Sequence, residues 1–123
     1  MRILITGSRD WKGVADIVNA IWEYAMNPNS DVIAGTVIVH GDCPTGADNI
    51  ADHMANELGI TVERHPANWA LYGKSAGPLR NQEMVDLGAD ICLAFPLPES
   101  RGTWDCIRRA RAAGIPVMIS DAI

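Results

Sequence analysis

The chain is short of the features that would place it quickly. Its three cysteines, Cys43, Cys92 and Cys106, are odd in number and fall into no Cys-x-x-Cys or Cys/His spacing. That argues against a disulfide framework and gives no zinc-ligand pattern, so a reducing, cytoplasmic setting and no metal site are expected. No apolar run approaches the roughly 18 residues of a membrane span. Met1-Arg2 leads straight into a strand-like run where a leader's apolar core would stand, so no membrane partner is expected. Cations are scarce, with 10 Lys+Arg against 15 Asp+Glu and a net charge of −5. A broad nucleic-acid surface normally brings a basic excess, so nucleic acid is not the expected partner. A P-loop is missing too: Gly73-Lys74-Ser75 has Trp69 where the required glycine would stand, and no strand leads directly into it. No Ser-His-Asp or Cys-His set can be assembled from the sequence.

What the chain does have is an ordinary globular composition, 48% hydrophobic and 20% charged over 123 residues. That suits one domain, 1–123, large enough for its own core. Short apolar runs alternate with helical periodicity. Strands are expected at Ile3-Leu4-Ile5, Thr36 to Val39, Ile60 to Val62, Ile91 to Phe95 and Pro116 to Ile119. Helices are expected from Val14 to Ala25, from Ala47 to Leu58, from Pro78 to the Gly88 cap, and from Gly102 to Gly114. A long polar loop is expected from Pro66 to Gly77. Continuous apolar strands point to burial on both faces and hence to a parallel sheet. The expected fold is α/β: a single Rossmann-like doubly wound domain of five mostly parallel strands, order 3-2-1-4-5, with helices on both faces.

In such a sheet ligands bind beyond the carboxyl ends of the strands, where the strand order reverses. The loops expected there carry Arg9, Lys12, Lys74, Arg80 and Arg101, half of the cations of an acidic chain. That gathering suggests an anion site. In Thr6-Gly7-Ser8-Arg9-Asp10, Gly7 permits close approach and Ser8 can meet a phosphate; alternatively Ser8 or Asp10 merely caps a helix. After the second strand, Gly41 and Gly46 suggest close approach of something bulky, and Asp42 or Asp48 can accept from ribose hydroxyls. Thr45 and Asp48 also fit a capping box, with Thr45 as N-cap. Lys74, Arg80 and Asn81 reach the start of the third long helix, and Gly102 and Thr103 open the last one. Trp11, Trp69, Tyr72 and Trp104 lie in or beside these loops and can stack on a base or pack in the fold. Helix faces bearing Trp22, Tyr24 and Trp104 suggest a homo-oligomer.

The order Thr6-Gly7-Ser8-Arg9-Asp10, His40 to Asp48, Gly73-Lys74, Gly77 to Met84 and Gly102-Thr103 resembles the SLOG superfamily (Smf/DprA and Lonely Guy-like proteins). Within it, the chain resembles the YspA-like group of bacteria and phages. The resemblance implies a Rossmann-like domain that binds a nucleotide or nucleotide-derived small molecule, with no separate cofactor. Lonely Guy enzymes are phosphoribohydrolases that use an Arg in R-K-x-x-M and a Glu closing P-G-G-x-G-T-x-x-E. Arg80 and Met84 match the first segment. In the second, Gly102-Thr103 survives, Cys106 replaces the Glu, and Asp105 stands one position early, about 100° round the helix. A binding module is therefore expected first. The alternative is a nucleoside-monophosphate N-glycosidase with Arg80 on the phosphate or leaving group and Asp105 or Asp48 as acid/base. DprA-like binding of single-stranded DNA comes third.

Overall fold

The computed structural model describes residues 1–29 and 31–120, and in it the first strand sets the architecture by parity. β1 (Arg2–Gly7) is buried along its middle, with Ile3 and Ile5 in one core cluster and Leu4 in another. Both faces of the strand therefore need a helix layer. α1 (Val14–Ala25) and α2 (Ala47–Leu58) cover the first face, bringing Ile17, Ile21, Ala51 and Ala55 onto Ile3, Ile5, Ile38 and Leu93. α4 (Ala76–Asp86) and α5 (Arg101–Ala112) cover the second, where Met84, Val85, Cys106 and Ala110 meet Leu4, Val39 and Cys92.

The remaining strands are β2 (Val37–His40), β3 (Thr61–Arg64), β4 (Ile91–Phe95) and β5 (Val117–Ile119). The sheet runs β3-β2-β1-β4-β5 and every pairing is parallel. The expected fold and strand order are those observed. Among the described residues, no helix is long and apolar enough to cross a membrane.

One local expectation needs correction, and the structure decides between the alternatives left open at several others. The stretch expected to be loop from Pro66 to Gly77 contains α3 (Trp69–Tyr72) and a 3-10 turn at Gly73–Ser75, and α4 already begins at Ala76. The helix α3 buries none of its residues, so it leaves no periodicity to read; its start is set by Asn68, whose Oδ1 accepts from the Leu71 amide at 3.1 Å. Of the two roles open to Trp11, stacking on a base or packing in the fold, the structure shows the second: it is 5% exposed and meets Phe95 edge-on at 5.6 Å. Neither Ser8 nor Asp10 caps α1, whose N-cap is Gly13. Of the aromatics assigned to an oligomer face, Trp22 is exposed, whereas Trp104 is partly buried and donates to the Leu97 carbonyl at 3.2 Å.

Two ion-pair networks brace the β3 edge. Arg2 reaches across β2 to Glu63, Nη2 to Oε2 at 2.8 Å, and Arg64 grips Asp52 of α2 at 2.7 and 3.0 Å. Hydrogen bonds from Arg64, then from His40, hold the Asp52 carboxyl down at about 2. Those from Arg2, then from His65, do the same for Glu63. A carboxyl with a depressed folded pKa contributes stability that is present above its unfolded value, about 4, and lost as pH falls through the folded one. Asp52→Asn and Glu63→Gln should each lower the melting temperature at pH 7, with the gap to wild type closing between about pH 5 and pH 2. A gap independent of pH would show that the charge of these groups contributes nothing.

Candidate ligand cleft at the switch point

Strand order reverses between β1 and β4, and there the loops that follow them part. A cleft of about 600 Å³ opens at this point, over Ile5, Thr6 and Met84. Of the residues expected at a site, Gly7, Ser8, Arg9, Gly41, Asp48, Lys74, Arg80, Asn81, Gly102, Thr103 and Asp105 all line it. The structure therefore gathers four separate loops onto one cavity. Asp42, Thr45 and Gly46 are not on its walls, nor is Lys12. Arg108, which does line the cleft, was missed; it lies seven residues after Arg101, so helix periodicity places both on one face of α5.

The loops are held by the backbone of Ser8. Its N–H donates to the Phe95 carbonyl at 3.0 Å, and its carbonyl accepts from Trp11 at 3.2 Å and Ala47 at 3.1 Å. The Ser8 hydroxyl accepts from the Asp10 amide at 3.0 Å. Gly46 belongs to this junction and not to a ligand. It has φ +75°, and a Cβ there would run into the Ser8 carbonyl and the Arg9 backbone. Gly46 is also the N-cap of α2, so the capping box led by Thr45 does not form and no side chain caps that helix. Asp48 is instead turned back onto its own loop, its Oδ2 accepting from the amides of Gly41 at 3.2 Å and Cys43 at 3.4 Å.

Arg80 is only partly free for an anion. Its Nε donates to Asn81 Oδ1 at 2.9 Å and its Nη1 to the Gly41 carbonyl at 2.6 Å, which commits one edge of the guanidinium fork to the β2 loop. A Cβ on Gly41 would collide with that guanidinium, so the glycine makes room for Arg80. Asn81 spans to α5, donating to the Gly102 carbonyl and to Asp105 Oδ2, both at 3.1 Å. By contrast, no ion pair among the described residues engages Arg9, Lys74 or Arg101. Arg9 instead lies over the Trp69 ring, 5.7 Å from its centre.

The start of α5 has unspent donors. Ser100, its N-cap, makes no side-chain cap bond to the helix; its hydroxyl accepts from Leu97 instead. Among the described residues, nothing accepts from the amides of Gly102 and Thr103. A Cβ on Gly102 would meet nothing within 4 Å, so protein packing does not require that glycine. A helix N-terminus with free amides, flanked by cations, is suited to an anion.

Residues 1–72 match the family described as YspA, cpYpsA-related SLOG. The chain is also 47% identical over 122 residues to the Gene 61 protein of Mycobacterium phage D29, an alignment covering 95% of this chain and 94% of the phage protein. The chain belongs to the YspA, cpYpsA-related SLOG family.

In this SLOG protein the titratable groups at the cleft differ sharply in character. Burial pushes the Asp48 carboxyl up, against the pull of His40, the Cys43 amide and Arg80. Burial, and then the charge of Asp48, pushes the Cys43 thiol up as well, which disfavours the thiolate a nucleophile needs. For Asp105, burial acts upward but is outweighed by hydrogen bonds from Arg109 and Asn81, and the carboxyl is held low. Cys106, in the position of the hydrolase glutamate, is wholly buried, with its thiol at about 11, chiefly through burial. Away from the cleft, His40, Asp42 and Asp52 bring possible cation ligands within 4.8 Å of one another. Asp52 is already shared between His40 and Arg64, so a cation there would have to displace the guanidinium.

Two glycines of the site should therefore respond in opposite ways. Gly46→Ala forces a side chain into a left-handed backbone and against Ser8, and should lose more than about 2 kcal/mol in urea unfolding. Gly102→Ala places a methyl in open space on a helix and should stay within about 1 kcal/mol of wild type, on the stable side. Equal losses would mean that Gly102 has a structural role as well.

Proposed function

We propose that this SLOG protein binds a nucleotide or nucleotide-derived small molecule in the switch-point cleft, with a phosphate at the N-terminus of α5. The observation that carries the reading is the pair of unspent amides at Gly102 and Thr103 beside an unpaired Arg101, on a cavity that Lys74 and Arg9 also line. In a chain of net charge −5, cations held free at one rim favour an anionic ligand. Arg80 contributes from the facing wall through the part of its guanidinium not given to Gly41.

Hydrolysis of a nucleoside monophosphate at the N-glycosidic bond is the second reading. It has one observation in its favour: Asp48 is a buried carboxyl pushed up toward its protonated form, as suits a proton donor to a leaving base. Against it, Asp105 is engaged by Asn81 and Arg109, and Cys106 is part of the core.

Nucleoside monophosphates should raise the melting temperature by several degrees when present at about 100 times their dissociation constant, a stabilisation of about 2.7 kcal/mol. The matching nucleosides should do far less. Arg101→Ala should remove much of the phosphate-dependent gain and leave the unliganded protein as stable as before. Arg80→Ala should weaken both, because the Gly41 carbonyl loses its donor. Equal stabilisation by phosphate-free ligands would overturn the phosphate site, and chromatographic detection of released base would move the reading to hydrolysis.

A further inference from the structure

Asp48 holds a hydrogen-bonding capacity that the fold does not use. It is the second residue of α2 and only 5% exposed, and it lines the cleft beside Gly41 and Arg80. The two loop amides bind Oδ2 alone. Oδ1 is fully buried and, among the described residues, has no hydrogen-bond partner. The Cys43 thiol, which is within reach of the Asp48 carboxyl, is at best a weak donor. A buried acceptor left without a donor costs about 1–3 kcal/mol, so the fold carries a penalty that an arriving donor relieves.

The surroundings narrow what that donor is. With Asp48 ionised, a phosphate oxygen is excluded, since it would set acceptor against acceptor. A cationic donor is disfavoured by Arg80, whose guanidinium lies against Gly41 next to the carboxyl. A neutral donor remains, and in a ligand whose phosphate sits at Gly102 and Thr103 the group that accompanies the phosphate is a sugar.

Building on the proposed nucleotide cleft, we infer that Asp48 Oδ1 accepts a hydrogen bond from a ribose hydroxyl, and that the cleft thereby selects ribonucleotides over their deoxy counterparts. Asp48 thus has two separate tasks, one per oxygen: Oδ2 shapes the loop and Oδ1 reads the sugar. Losing the hydroxyl leaves the buried oxygen unpaired again, which is why a binding site built this way rejects the deoxy analogue strongly.

The test titrates the wild-type protein with AMP, GMP, CMP and UMP, then repeats the titration for the tightest of them with its 2′-deoxy and 3′-deoxy forms. At least one deoxy form should bind about tenfold or more weakly, equivalent to about 1.4 kcal/mol. If the ribonucleotide and both deoxy forms bind equally, the hydroxyl contact is wrong while the nucleotide cleft stands; an exocyclic amine of the base would then be the donor. If none of the four binds, both readings fall together. Asp48→Ala removes the acceptor without putting in its place an amide from which the hydroxyl could accept, and should reduce the ribose preference to less than about threefold, the deoxy form losing only what the freed Gly41 and Cys43 amides cost. If ribose and deoxyribose forms weaken by the same factor in that variant, Asp48 only clamps its loop and the inference is overturned.

Discussion

The peptide backbone at Ser8 is the point on which the cleft depends. One residue joins three segments: its amide reaches the end of β4, and its carbonyl serves both the turn into α1 and the first amide of α2. Because Ser8 is nearly fully buried, each of those bonds is made away from water, where an unmet amide or carbonyl is costly. The loops after β1, β2 and β4 are consequently fixed relative to one another, and the cleft between them has a defined shape before any ligand arrives.

Much of the glycine content follows from that junction. Gly7 lies where a Cβ would collide with Ala47, and Gly46 where it would collide with Ser8 and Arg9. Gly41 gives space to Arg80, which in turn holds the Gly41 carbonyl. These residues bring loops together. Gly102 differs from them, having open space and free amides around it. Glycines that look alike in a ligand-binding loop thus divide into those demanded by the protein and one that the protein does not need.

Charge is divided in a similar way. The outer networks, Arg2 with Glu63 and Arg64 with Asp52, consume their cations in binding strands and a helix together. At the cleft, Arg109 is spent on Asp105 and part of Arg80 on Gly41, leaving Arg9, Lys74 and Arg101 without an acidic partner among the described residues. Asp10, Asp48, Glu99 and Asp105 share the cleft walls, yet these three cations form no ion pair with them and stay free to meet an anion.

The order of elements and the two-faced burial of the sheet were legible in the sequence, because continuous apolar strands and helix-period stripes report their own surroundings. The side of the sheet that binds was legible as well, since parallel topology fixes which strand ends carry the loops. Helix α3 was not legible, because it buries no side chain and so imposes no pattern. Nor were the roles within the β2 loop: Thr45, Gly46 and Asp48 satisfy a capping motif by spacing, yet Gly46 holds the cap position and Asp48 turns toward Gly41 and Cys43. Composition and periodicity thus determined the fold, the switch point and most of the residues around it. Which glycines face a neighbour, which cations remain unpaired and which carboxylate oxygen is left without a donor were decided only by tertiary structure. Each of these depends on contacts between residues distant in the chain, and local spacing carries no record of them.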